Sequence, residues 1–538
     1  MILDFCLGLR HMSKFETFNY KECIYYYSGV IWTYGKKSGK ETIEYLSNFY
    51  DKNGKIPFNY LFGAFHLIIK KSSGEVIMFT DNSNMHCFYI SEDAIGTNFL
   101  EVIRVTKKVE MDSDALVEFL SLGNIYFGKT FISSIKLSEH NKVYVFDKKK
   151  LNIIDKEING IDEKSEIKNM NEYFENMAYS LSNLNLTLSL TGGYDSRLVF
   201  ACLRKYIPID VFISGDNENE KDIVISKKIA SITENNFEHI KSKKPEVTIK
   251  YLNELFAYAQ GIVPFVNDGF FRISNFIRNR AKRYDCYLSG DGGVMHKDWW
   301  WLQDLPFYKR KTIDIEKFYY QRIKFADMHI PWGDLIRESA NYLDERMINK
   351  LKDFKKTLNT QTYDALYFHV NGKKTSVNYN IHSDQIKSYA PLWELELVRY
   401  SYNLPRLKRF YYLSMRTIIT KASKTIARIP TVYGTTASSE PLFIIRDLFF
   451  QGIDYCKKAI RMLGRIFLNK NFFVGKLLTW STEDKIRELE LTNKAVKSLI
   501  KKGILDESTD ANKLSFTVLG RILQIYLLDD YINKENEE

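Results

Sequence analysis

The stretch Leu188–Leu203, LSLTGGYDSRLVFACL, sets a polar glycine turn between two apolar runs. The run before it, LNLTLSL (184–190), reads as a buried strand, and SRLVFACLRKY (196–206) reads as a buried helix. Gly192 and Gly193 leave backbone N–H groups clear of any Cβ, Thr191 and Ser196 add hydroxyls, and a helix that starts here favours an anion through its dipole. Asp195 in the same turn would repel a bare phosphate, so the turn asks for Mg2+ between carboxylate and phosphate oxygens. The same residues also suit a plain strand-to-helix turn capped by Asp195. What favours the phosphate reading is that the pattern recurs downstream.

IDVFISG (209–215) reads as the next strand, which makes a unit of about 30 residues, the size of a crossover between parallel strands. Asp222 opens a helical pattern carrying Ile223, Ile225, Ile229, Ala230 and Ile232 and leading to FEHIK (237–241), and DCYLSG (285–290) is a third buried strand running into SGDGG. Glycine loops at 191–193, 215 and 290–293 therefore fall at carboxyl ends of parallel strands, where ligands gather in open α/β sheets. Beyond about residue 310 the chain reads as mostly helical and rich in Tyr, Phe, Lys and Arg.

The N-terminal part has a different grain. LFGAFHLIIKK (61–71), EVIMFTD (75–81), HCFYIS (86–91) and KVYVFDKKK (142–150) are β-branched or aromatic runs separated by turns, with one short helix at DSDALVEFLSLG (112–123). The charged stretch DKEINGIDEKSEIKN (155–169) loses the apolar pattern and reads as a boundary. The expectation is an α/β chain with a β-rich domain over 1–155, poor in helices, and a parallel-sheet domain over 165–538 ending in a helical part.

The 538 residues are 45% apolar, enough for a sizeable core, and the net charge of +11 is spread over 77 basic and 66 acidic residues with no nucleic-acid arm. Six scattered cysteines form no Cys-x-x-Cys pair or metal-type grouping, which argues against zinc, iron–sulfur and a disulfide framework and for a reducing, cytoplasmic setting. Asp4, Arg10, His11 and Lys14 break the apolar start, unlike a secretory signal. No apolar run reaches the roughly 18 to 20 residues that span a bilayer, and the nearest, 441–453, holds Arg446 and Asp447.

SLTGGYDSR (189–197) resembles the Ser-Gly-Gly-x-Asp-Ser loop of the N-type ATP pyrophosphatases, and the chain is similar to the asparagine synthetase family within that group. YLSGDGG (287–293) matches the start of the family's second ATP-site loop, and YAPLWELELVRYSYNLPRLKR (389–409) resembles its late helical segment. The segments 61–81 and 111–143 resemble the end of a class II glutamine amidotransferase domain and its junction. The resemblance implies an Ntn-like sandwich followed by an ATP-pyrophosphatase domain, with ATP and Mg2+ as cofactors. A small-molecule carboxylate would become an acyl-adenylate with loss of pyrophosphate, and ammonia or an amine would then displace AMP. It implies that Thr191, Gly192, Gly193 and Ser196 hold the phosphates with Asp195 on Mg2+, that Leu190, Ser214, Ser289 and Gly290 border the nucleotide, and that Asp291 is the catalytic acid/base. Neither nucleic acid nor a membrane span is expected as partner, and a homodimer is compatible with it.

The sequence departs from the family at three points. Position 2 is Ile2 where the glutaminase nucleophile stands, and Cys6 reads as a small apolar residue, so no glutamine hydrolysis is expected of this chain. Val294 and Met295 replace acids of the second loop, leaving Asp222, Asp291 and Asp298 as other oxygen ligands, each also suited to capping. No lysine follows Pro430 near Ser438, and Lys421 and Lys424 read as solvated. The leading expectation is an asparagine synthetase-like amide ligase. The alternatives are a relative acting on another carboxylate and amine, as β-lactam synthetases and lasso-peptide cyclases do, and a nucleotide-binding homologue without catalysis. His296 reads as a packing residue, with HKDWWW (296–301) as a candidate acceptor wall, and the basic stretch through Lys457, Lys458, Arg461, Arg465 and Lys470 reads as a solvated helix face, the other reading being a surface for anionic lipid.

Overall fold

The computed structural model describes residues 15–147, 150–241, 246–266, 268–297, 314–324, 328–353, 361–468 and 481–537. Ile2, Cys6, Asp298 and the tryptophans 299–301 lie outside them.

The N-terminal strands are β1 (Glu16–Tyr20), β2 (Cys23–Trp32), β3 (Phe62–Lys71), β4 (Val76–Thr80), β5 (Tyr89–Ile90), β6 (Ile95–Gly96), β7 (Lys136–Leu137), β8 (Lys142–Asp147) and β9 (Lys150–Asp155). Six of them form an antiparallel sheet in the order β1-β2-β3-β4-β8-β9, and β6-β5-β7 form a small second sheet. Alternation along the strands decides which face each side chain serves. Tyr25, Tyr27 and Ile31 of β2 and Phe65, Leu67 and Ile69 of β3 face one way, onto Ile43 and Leu46 of the helix Lys40–Asn53. Ile68, Val76, Met78, Tyr144 and Phe146 face the other way, with Phe88 and Ile95 beside the small sheet. Among the described residues one face of the large sheet is thus covered by a 14-residue helix, an element that the sequence reading did not place.

The second sheet is wholly parallel. Its strands β10 (Leu186–Ser189), β11 (Asp210–Gly215), β12 (Phe237–Lys241), β13 (Cys286–Leu288) and β14 (Lys387–Tyr389) lie in the order β12-β11-β10-β13-β14. The chain runs outward from β10 through β11 to β12, then returns to the other side of β10 for β13 and β14. The order therefore reverses between β10 and β13, and the crevice at their carboxyl ends is the switch point at which such sheets take ligands.

Packing crosses the expected boundary in several places. Val30, Trp32, Phe62 and Ala64 share a core with Tyr173 and Phe174 of the helix Met170–Leu181, and the Trp32 and Phe62 rings lie 4.6 Å apart. Tyr89, Phe119 and Phe131 share another with Leu252, Phe318, Leu519 and Leu523 from the helical part. Glu394 closes the joint, accepting hydrogen bonds from Gly63 N (2.8 Å), Ser83 Oγ (2.8 Å) and Tyr389 Oη (3.0 Å). The charged stretch 155–169 is itself pinned down. Lys156 is buried with its ammonium on the Thr80 carbonyl at 2.5 Å, and the Arg399 guanidinium takes the carbonyls of Asn159 and Gly160. Burial pushes the Lys156 ammonium down to about 7.

Candidate functional site

The helix Asp195–Leu203 is buried from Ser196 to Leu203, which fixes the turn that feeds it at the end of β10. The 289–293 loop arrives from β13 and meets that turn through glycines. A Cβ on Gly290 would stand 2.4 Å from Ser196 N, and one on Gly293 would stand 2.1 Å from Asp195 Cγ. Hydrogen at Gly290 spares the backbone of Ser196, and hydrogen at Gly293 leaves the Asp195 carboxylate its place between the loops. Gly292, at φ +90°, makes the bend between them.

The residues read as a phosphate cradle come together, but their amides are not all open. Thr191 N–H donates to Ser196 Oγ (3.0 Å), Gly192 N–H to Asp222 Oδ1 (2.7 Å) and Gly193 N–H to Thr191 Oγ1 (3.4 Å). An anion would have to exchange with these acceptors at 191–193. The amides of Asp195 and Ser196 bond no acceptor among the described residues, as expected for the first turn of a helix. Asp222 does not cap its own helix; it reaches back to Gly192, while Ser226 Oγ on the next turn donates to the Leu190 carbonyl at 2.5 Å. Leu190 is a core side chain, with only its backbone near the crevice. Ser214 is exposed at the end of β11.

Asp195 is the focus of the charge. Its Oδ1 is buried and has no hydrogen-bond partner among the described residues, while Oδ2 lies 3.7 Å from Lys297 Nζ. Burial raises the Asp195 carboxyl, the Lys297 ammonium opposes that, and the Asp291 carboxylate adds to it. Lys297 also lies over the Tyr412 ring, 5.1 Å from its centroid. The reading of the sequence sought a lysine near Ser438; the cation beside the first loop comes instead from the second. Its only sequence signal is a lysine shortly after SGDGG, and its position depends on the one-turn helix Gly293–His296.

Asp291 is exposed at the crevice, accepts from Tyr379 Oη at 3.0 Å, and its N–H turns back onto Ser289 Oγ at 3.3 Å. Ser289 Oγ bonds the same phenol at 2.7 Å, so Ser289 serves the loop from beneath. Val294 and Asp291 line a cavity of about 1000 Å3 that runs past Tyr287, Tyr379 and Trp393 to the helix Phe516–Glu537. Among the described residues two cations face it, Lys374 and Arg521. Lys374 has no carboxylate partner among the described residues, and burial, then the Arg521 charge, lowers its ammonium.

Arg197, which follows the loop, points inward. It donates to the carbonyls of Ile429 (2.6 Å), Pro430 (3.1 Å) and Gly192 (3.2 Å) and so ties the 429–436 segment to the first loop. Tyr194 stacks on Tyr412 at 4.3 Å and donates to the Thr436 carbonyl at 2.8 Å. Ser438 is buried and bonds Glu440, and Lys421 and Lys424 are exposed, as read.

His296 is a packing residue. Its Nε2–H donates to the Leu392 carbonyl (2.7 Å), which leaves Nδ1 to accept from Ser401 Oγ (2.5 Å). Burial lowers it to about 4. The unfolded chain, with His near 6.5, then binds the proton more tightly. The stability tied to His296 is complete above pH 6.5 and is lost as pH falls through 4, a change of about 3 kcal/mol. Urea midpoints measured from pH 7 to 4 should fall less steeply for His296→Gln than for the unaltered chain.

Among the described residues no group of three or more His, Cys, Asp or Glu could hold a metal alone. Mg2+ rarely needs one, since one or two carboxylates together with phosphate oxygens and water suffice, and the unpartnered Oδ1 of Asp195 fits that role. No protein-family model matches the chain, and a search of curated proteins returns no match. No helix among the described residues is long and apolar enough to cross a membrane.

Proposed function

We propose that the chain is an ATP-dependent, AMP-forming amide ligase of asparagine synthetase type. The observation that carries this is the meeting of the two glycine loops at the switch point, with Asp195 between the Asp195–Ser196 amides and Lys297. The amides of Asp195 and Ser196 would take the departing β- and γ-phosphates of ATP, and Asp195 Oδ1 would hold Mg2+. When bound, the ion would neutralise charge that builds on the pyrophosphate. Lys297 would add a fixed positive charge from the opposite loop. The carboxylate oxygen of the substrate attacks the α-phosphorus, the bond to the bridging oxygen breaks, and pyrophosphate leaves. The amine nitrogen then attacks the acyl carbon, AMP leaves, and Asp291, exposed on the second loop, takes the amine proton.

The acyl acceptor belongs in the cavity that begins at Asp291. Its volume and aromatic walls suit a carboxylate larger than a simple amino acid, which favours a substrate other than aspartate, and Lys374 beside Arg521 suits a second anionic group. A panel of carboxylates assayed for ATP-dependent AMP release, with and without an amine, tests the reading. AMP formed with a bulky anionic carboxylate supports it. Binding of Mg·ATP with no AMP from any carboxylate would leave the non-catalytic reading in its place. Lys374→Ala should raise the KM for the productive carboxylate roughly tenfold and leave the KM for ATP unchanged.

A further inference from the structure

The helix Pro441–Leu468 is 28 residues long, about 42 Å, and has a side that stands exposed among the described residues. Leu442, Ile445, Phe449, Ile453 and Ile460 recur at helical spacing, with exposed Cys456 between the last two, and all lie on one face. Leu442 is 82% and Phe449 70% exposed, where a solvated face would carry polar groups. The opposite face holds the helix to the protein: Asp447 is fully buried and accepts from Arg416 Nη1 at 3.0 Å and from Thr436 N–H and Oγ1 at 2.7 Å each. That anchorage turns the apolar stripe outward.

Charge identifies what the stripe meets. The helix carries Arg446, Lys457, Lys458, Arg461 and Arg465 against Asp447 and Asp454, and Asp447 is already matched by Arg416 and Arg446. No acid occurs between Asp454 and Glu483, while Lys470 and Lys476 continue the basic run. An apolar face on a helix that carries surplus positive charge in its sequence and is unable to span a bilayer is the pattern of an element lying in the interface of an anionic membrane. We propose that the helix Pro441–Leu468 docks this chain on an anionic lipid surface, with the stripe through Leu442, Phe449 and Ile460 in the headgroup–acyl boundary. Asp447 bonds Thr436, and Tyr194 of the first loop bonds the same residue, so the docked helix adjoins the candidate site through one residue.

The test is co-sedimentation of the full chain with vesicles of phosphatidylcholine alone or of phosphatidylcholine with phosphatidylglycerol, alongside sizing in solution. The chain should bind the anionic vesicles and leave the neutral ones, and high salt should release it. Phe449→Glu should weaken binding roughly tenfold or more by loss of apolar burial, and Lys457→Glu several-fold, with melting temperatures within a few degrees of the parent. Binding that ignores lipid charge, no binding to either vesicle, or full binding by a folded Phe449→Glu chain overturns the proposal. So does a dimer that Phe449→Glu splits while vesicles stay bare, which assigns the stripe to a second copy of the chain.

Discussion

Asp195→Asn should lower carboxylate-dependent exchange of pyrophosphate into ATP by roughly a thousandfold, the scale on which a preorganised electrostatic group acts. The substitution keeps the side chain's size and removes the charge that both Mg2+ and Lys297 would meet. Oδ1 has no hydrogen-bond partner to lose among the described residues, and Oδ2 gives up only an ion pair at 3.7 Å, so the fold should be spared. Because burial raises the Asp195 carboxyl, a neutral residue here should melt no lower than the parent at neutral pH. Gly293→Ala should reach the same loss by another route, since its Cβ falls on the carboxylate group. Exchange that survives Asp195→Asn removes Asp195 from the metal; exchange that survives both variants removes the first loop from the chemistry.

Most of the parallel sheet is legible in the sequence because β10, β11 and β13 are short apolar runs that lead into glycine loops, and because the helix after the first loop is apolar almost throughout. β10, β11 and β12 fall within the runs 184–190, 209–215 and 237–241, and β13 within 285–290. The helix Lys40–Asn53 is not legible. It follows Gly39 without a side-chain cap, and Tyr45, Phe49 and Tyr50 blur the spacing of its fully buried apolar positions, Ile43 and Leu46. β14 is three residues long and is held by tertiary neighbours, with Tyr389 bonded by Trp32 Nε1 at 3.3 Å, so no local pattern announces it. Within the site, residue types on the two loops are readable, whereas partners are not. Asp222 meets Gly192 across 30 residues of chain, and the direction of Lys297 is set by a turn whose geometry rests on three glycines. The stretch 155–169 shows the converse failure. Its charge and lost apolar pattern read as a boundary, yet Lys156 is buried because three oxygens, the carbonyls of Thr80 and Asp81 and Asn82 Oδ1, face its ammonium.

Arg197 tests how much of the site depends on a strut and how much on charge. Its guanidinium is fully buried and meets no carboxylate among the described residues, only the carbonyls of Ile426, Ile429, Pro430 and Gly192, and burial lowers it to about 10. Arg197→Met preserves much of the volume but takes the donor from the Ile429 and Pro430 carbonyls, while those of Ile426 and Gly192 keep the N–H groups of Ile429 and Val432, and the cost should be roughly 3 kcal/mol, read as a fall in the urea midpoint. Arg197→Lys keeps the charge and loses the planar fork that spans two chain segments, so it should recover little of that stability. A lysine chain as stable as the parent would mean that the site needs a cation here. If neither variant recovers stability, the arginine acts through its geometry, by clamping the carbonyls of 429–430 to Gly192. The same pair separates stability from chemistry, because a released 429–436 segment frees Val432 N–H from the Gly192 carbonyl and the Tyr194 hydroxyl from Thr435 and Thr436. Both variants should then lose pyrophosphate exchange at temperatures where they are still folded, since the first loop has lost the wall against which it is formed.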